Sequence, residues 1–182
     1  MNFTSRTITL KDGRTALMQS PTAAHAEQMI AYMKTMSAET ECVGRYPEEI
    51  VETTEYEAEL LNSTLSSSSS VQISIFMDGI IAANATIAPY SGRIKFRHRA
   101  VFGIAVLQKY WGLGMGRLLT DACIQCARDM GYAQIELTAL EDNAKGISLY
   151  KSVGFKQWGR LEGGSHLKDG SIKAEVYMIK RL

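Results

Sequence analysis

Tyr110-Trp111-Gly112-Leu113-Gly114-Met115-Gly116 runs without a break into Arg117-Leu118-Leu119-Thr120-Asp121-Ala122. A glycine-rich turn therefore opens an amphipathic helix, expected over about 114–130, with Leu118, Leu119, Ala122, Cys123, Cys126 and Ala127 on its buried face. Helix starts leave backbone N–H groups unpaired, and the helix dipole favours negative charge there. Glycines let a ligand approach the backbone closely and allow positive φ. The natural guest is a phosphate or pyrophosphate.

Outward from this segment the chain reads as alternating strands and helices. Lys11-Asp12-Gly13 is a hairpin turn between strands over 7–10 and 14–18. A helix follows from Pro21 and Thr22, with Ala26, Met29, Ile30 and Met33 on one face. Pro47-Glu48-Glu49 reads as a second helix start, proline first and acids next, running to about Asn62. Most of its glutamates read as a solvated face. Ser66 to Ser70 reads as a flexible loop. Val71–Met77 alternates as a strand, Asp78-Gly79 turns, and 80–88 returns. A long strand is expected over 94–107, with Gly103 marking a bulge or a close backbone approach. Gln134–Leu140 is a strand, 143–153 a helix, and 155–161 and 172–182 the last two strands. This is an α/β chain with a mixed sheet.

Composition narrows the class. The 182 residues suffice for one domain with a sizeable core, and the net charge of +1 gives no nucleic-acid footprint. Hydrophobic residues make up 46%, yet no apolar run approaches the roughly 18 residues of a membrane span. The first residues lack the apolar stretch of a signal peptide, so the expected location is the cytoplasm. Cys123 and Cys126 are spaced C-x-x-C, but a full turn inside the helix, so they read as packed thiols rather than a redox pair. No set of Cys and His has the spacing of a metal site, and no metal is expected.

Two nucleotide fingerprints fail on detail. A P-loop needs Lys and Ser/Thr after its last glycine, where this chain has Arg117 and Leu118. A G-x-G-x-x-G fingerprint needs a glycine at 117. A second block, Asn143-Ala144-Lys145-Gly146-Ile147-Ser148-Leu149-Tyr150-Lys151-Ser152-Val153-Gly154-Phe155, follows the turn at a distance that matters. The two together resemble the GNAT superfamily of N-acetyltransferases, whose turn reads R/Q-x-x-G-x-G/A and whose later block reads N-x-x-A-x-x-L-Y-x-x-x-G-F. Trp111 stands at the Arg/Gln position, where packing on the sheet is its expected role. Gly146 stands for the usual Ala, a change of roughly 1 kcal/mol in helix propensity.

The resemblance implies one GNAT-like domain over 1–182, with a mixed, mostly antiparallel sheet of about seven strands and about four helices. It implies a splay between the family's strands four and five, here the strands ending at Leu107 and Leu140. It implies acetyl-CoA or another acyl-CoA as donor, with its pyrophosphate on the amides of Leu113, Gly114, Met115, Gly116 and Arg117. The pantetheine arm would pair with the strand edge at Ile104, Ala105 and Val106 and contact Asn143, by sequence also a helix N-cap. Tyr150 takes the role of acid for the departing thiolate. A backbone N–H near Ile104 or Ala105 takes that of oxyanion donor. Dimerisation through the C-terminal strands is a further implication.

Aminolysis of a thioester also needs a base. The family often carries a glutamate where this chain has Ala100, Val101 and Phe102. His98, on the same strand, is one candidate, Glu136 a second, and a water chain a third. The acceptor, an amine of a small molecule or peptide, is expected over the early helices and the 37–47 loop, where Glu39, Glu41, Glu55 and Tyr46 could attract a cation. A silent acyl-CoA-binding module and a nucleotide-phosphate binder remain the alternatives.

Overall fold

The computed structural model describes Met1–Leu182. Eight strands form one sheet: β1 Arg6–Thr9, β2 Thr15–Gln19, β3 Val71–Met77, β4 Ile80–Pro89, β5 Arg99–Val106, β6 Gln134–Leu140, β7 Lys156–His166 and β8 Ile172–Arg181. The helices are α1 Ala26–Glu39, α2 Thr54–Ser66, α3 Met115–Asp129 and α4 Ala144–Ser152. Strand order is β1-β2-β3-β4-β5-β6-β8-β7, one strand more than the expected seven. All neighbours are antiparallel except β5 and β6.

That one parallel pair positions the site. β5 and β6 pair only over Arg99↔Gln134, Ala100↔Ile135 and Val101↔Glu136. Both strands continue beyond this point, so their C-terminal halves splay apart. β4 stays paired with β5 along its whole length, up to Ala83↔Val106. The register shows no bulge at Gly103, contrary to one expectation. The glycine instead serves a close approach, since a Cβ there would stand 3.3 Å from Thr86 Oγ1.

α3 crosses the sheet with Leu119, Cys123 and Ala127 fully buried. The two helical cysteines are free and buried, and burial pushes both thiols up. They are packing groups. Gly131, at φ +80, ends the helix region as a left-handed residue.

Three local readings give way to long-range contacts. Pro47–Glu49 is a single 3-10 turn, closed by Glu49 Oε2 accepting from Tyr46 N at 2.7 Å. The buried Ile50 then leaves helical geometry, and α2 starts afresh at Thr53, whose hydroxyl accepts from Tyr56 N at 3.2 Å. β5 begins at Arg99 rather than Ile94, because Ile94–Phe96 forms a 3-10 turn that sets the Phe96 ring 5.7 Å from Tyr90. The serine run is tethered. The Met1 amino group donates to the carbonyls of Thr64, Ser67 and Ser70, and Tyr132 donates its hydroxyl to Ser69 O at 2.7 Å. No helix is long and apolar enough to cross a membrane.

Candidate active site

The glycine turn is a ring of free donors. Gly112 and Gly114 stand at φ +82 and +87, a region that only glycine enters without strain. Gly114 is the N-cap of α3 and supplies no side-chain cap. The backbone N–H groups from Gly112 to Arg117 have no acceptor within the protein, the next one being Leu118 N to Gly114 O at 3.2 Å. The first turn of α3 holds no acidic residue to compete for them.

The edge of β5 continues that donor ring toward the sheet. In an antiparallel pair, alternate residues turn their peptide groups to the partner. Leu107 N donates to Ala82 O at 3.0 Å, so Ala105 and Gly103 also face β4. Ile104 therefore presents its N–H and C=O, and Val106 its N–H, to the splay, where β6 no longer pairs. Tyr32 on α1 locks this geometry by donating its hydroxyl to Ala105 O at 2.8 Å. The sequence pattern takes Ile30 and Met33 for this helix face and misses Tyr32, three residues after the buried Met29.

Tyr150 lies beside the last closed rung. Its ring meets Phe102 edge-on at 6.3 Å and Phe155 at 6.0 Å. The residue is buried, its hydroxyl makes no hydrogen bond within the protein, and burial pushes the phenol up to about 12. It thus holds its proton at neutral pH and has no internal partner to give it to. Asn143 caps α4, its Oδ1 accepting from Gly146 N at 3.0 Å. A Cβ at Gly146 would come within 2.7 Å of that amide, so an alanine here would have to shift the Asn143 side chain.

Trp111 does not pack on the sheet. Its indole Nε1 donates to Val106 O at 2.7 Å, and the Lys145 ammonium lies 4.3 Å above the ring. The side chain therefore links the end of β5 to the start of α4 across the mouth of the splay.

Neither candidate base faces the cleft. His98 is exposed in the turn before β5, and its carbonyl accepts from Ala133 N and Gln134 N. The extended chain puts it about 20 Å along the strand from Ile104. Glu136 is opposite Val101 on the closed side, where both its oxygens accept from Arg99 at 2.6 Å and one also from Gln134 Nε2 at 2.7 Å. The hydrogen-bonded guanidinium holds its carboxyl below the usual range, which is the state of a structural ion rather than a base.

The far end of β5 is bordered by the end of α1 and the segment after it. Glu39 Oε2 accepts from Gln108 N at 2.7 Å, just beyond β5. Tyr46 hydroxyl accepts from Lys168 N at 3.0 Å in the β7–β8 turn, and Lys168 also pairs with Glu48. Residues 40–46 thus cross from the end of β5 to the hairpin tip. Of the expected cation-attracting groups, Glu39 and Tyr46 are spent on these contacts, while Glu41 and Glu55 are exposed. Two acids that read as solvated face are largely covered instead. Glu57 is only 3% exposed and makes no hydrogen bond or ion pair, and burial raises its carboxyl, with Glu52 adding to the effect. Glu52 gives one oxygen to Arg45 and keeps the other buried and unpaired.

The Acetyltransferase (GNAT) family model matches residues 31–155, which include β5, the donor ring and α4. The chain belongs to the GNAT acetyltransferase family. A GNAT acetyltransferase from Streptococcus pneumoniae superposes with a TM-score of 0.88 at 26% identity, covering 92% of this chain and 99% of that one. The fold is shared by yncA of Salmonella typhimurium, solved with its cofactor acetyl-CoA, at a TM-score of 0.80 and 18% identity over 92% of this chain and 94% of that one. N-acetyltransferase family 8 member 2 of Rattus norvegicus is 33% identical over 81 residues, 44% of this chain and 34% of that protein. This GNAT chain thus spans about a third of the length of that curated relative.

Proposed function

We propose that residues 1–182 act as one acetyl-CoA-dependent N-acetyltransferase domain for a primary amine. The observation that carries the reading is continuity: the free N–H groups of Gly112 to Arg117 lead into the edge of β5, open at Ile104 and at the N–H of Val106, and that edge runs down to Phe102, whose ring meets Tyr150, a phenol with no hydrogen-bond partner in the protein. A row of donors suits a pyrophosphate, an open strand edge suits the amides of a pantetheine arm, and a protonated phenol suits a departing thiolate.

Acetyl-CoA supplies the activated acyl group as its thioester. The amine nitrogen bonds to the acyl carbon, the carbon–sulfur bond breaks, and Tyr150 gives its proton to the sulfur. The N–H of Ile104, facing the splay, is placed to stabilise the carbonyl oxygen. With Glu136 committed to Arg99 and His98 remote, the proton of the amine leaves through water.

Calorimetry with acetyl-CoA, CoA and ATP tests the donor. Acetyl-CoA and CoA should bind at micromolar concentration and raise the melting temperature; equal binding of ATP would recast the turn as a general nucleotide-phosphate site. The absence of a free carboxylate on β5 supports a second reading, a silent acyl-CoA-binding module. A screen of amines for thiol release from acetyl-CoA separates the two, since the module binds but releases none.

A further inference from the structure

The β1–β2 turn reaches the donor ring, although it lies more than a hundred residues away in sequence. Lys11 N donates to Leu113 O at 3.1 Å, which docks the hairpin tip onto the glycine turn. The Lys11 side chain then runs across Gly114. A Cβ built on Gly114 would meet Lys11 Cγ at 3.3 Å, Cε at 3.5 Å and Cδ at 3.7 Å. The ammonium is one bond beyond Cε, so it ends at the N-cap of α3.

Other cations around the turn are already engaged. Arg117 Nε is 2.7 Å from Asp121 Oδ2, and Lys145 lies over the Trp111 ring. Lys109 lies 4.9 Å from the centroid of the Tyr110 ring. Lys11 has no carboxylate partner and no aromatic face. A free ammonium beside unpaired N–H groups and a helix N-terminus gains a partner only when an anion arrives. An arginine or glutamine at 111 could offer side-chain donors at the turn, whereas Trp111 is spent on Val106 O.

We infer that Lys11 is a donor-binding residue, pairing its ammonium with the pyrophosphate of acetyl-CoA from the tip of the β1–β2 hairpin. The assignment rests on the acetyl-CoA reading above. It makes the β1–β2 hairpin part of the donor site, docked by its backbone and charged by its side chain.

Calorimetry of Lys11→Met and Lys11→Arg with CoA and with 3′-dephospho-CoA tests it. Methionine keeps the stem over Gly114 and removes only the charge. Lys11→Met should bind both ligands about tenfold more weakly, the size of one charge-assisted contact, with a shallower salt dependence and an unchanged melting temperature. Lys11→Arg should restore most of the affinity. Lys11→Met binding CoA like the parent would overturn the assignment and leave the donor reading intact. A loss seen with CoA but not with 3′-dephospho-CoA would overturn it too, by moving Lys11 to the ribose phosphate. A parent protein that takes up no CoA would remove the donor reading itself and this assignment with it.

Discussion

Tyr150→Phe should lower kcat by about 10²–10⁴-fold, the usual worth of a positioned acid, while the affinity for CoA changes less than about threefold. The size of the first effect follows from the leaving group. An amine can attack the thioester without Tyr150, but the thiolate then departs without a proton. The smallness of the second follows from the proposed donor site, the N–H groups of Gly112 to Arg117 and the open edge of β5, none of which is hydrogen-bonded to the phenol. Stability should barely move. The hydroxyl makes no hydrogen bond in the protein, so phenylalanine removes no partner, and the ring contacts with Phe102 and Phe155 remain. Burial pushes this phenol up to about 12, so it stays protonated across the working range. The rate should therefore show no decline below pH 10 that disappears in Tyr150→Phe. Thiol release from acetyl-CoA with any accepted amine measures both variants. Equal kcat in the two would remove Tyr150 from the chemistry.

The parts of the site legible in the sequence are those encoded by local rules. The glycine spacing of 112–116 prescribes left-handed turns and a bare helix start, and that is what the chain forms. Asn143 before a helical run is a cap by sequence and in the fold. What stayed hidden is set by contacts between distant segments. Pro47-Glu48-Glu49 carries every local sign of a helix, yet burying Ile50 takes the chain out of helical geometry. Glu136 alternates like a residue of the cleft, and only Arg99 across the parallel rung shows that its charge is already used. Glu57 is one of six acids in its region, and nothing local marks it as the buried one. Lys11 belongs to a surface hairpin until the fold docks that hairpin's tip onto the glycine turn.

The Arg99–Glu136 pair carries the largest expected effect on stability. Arg99→Met should destabilise the fold by about 2–3 kcal/mol at pH 7, somewhat below the loss typical of a fully buried pair, because 22% of the Arg99 side chain remains in contact with solvent. The cost arises mainly on the other side of the rung. Glu136 is buried, and without the guanidinium its carboxylate keeps only the bond from Gln134. Loss of the Arg99 cation 3.6 Å from the Tyr90 centroid adds a smaller amount. The pH dependence reverses between parent and variant. In the parent, Arg99 holds the Glu136 carboxyl below its ordinary value of 4.5, so the pair's contribution is complete above that pH and fades as acid drives the folded group to protonate. In Arg99→Met, burial without a partner pushes the same carboxyl up, and protonation relieves the penalty. Denaturant titrations at pH 7 and pH 4 should therefore show the gap between the two proteins narrowing in acid. Adding Glu136→Leu to Arg99→Met should recover much of the loss at pH 7, because the double variant leaves no buried charge behind. A constant gap at both pH values, with no recovery in the double variant, would mean that the loss comes from the other contacts of Arg99, such as the Tyr90 ring, and not from the pair. Because Glu136 faces Val101 at the last closed rung, such a result would also leave the point where β5 and β6 part without its electrostatic clamp.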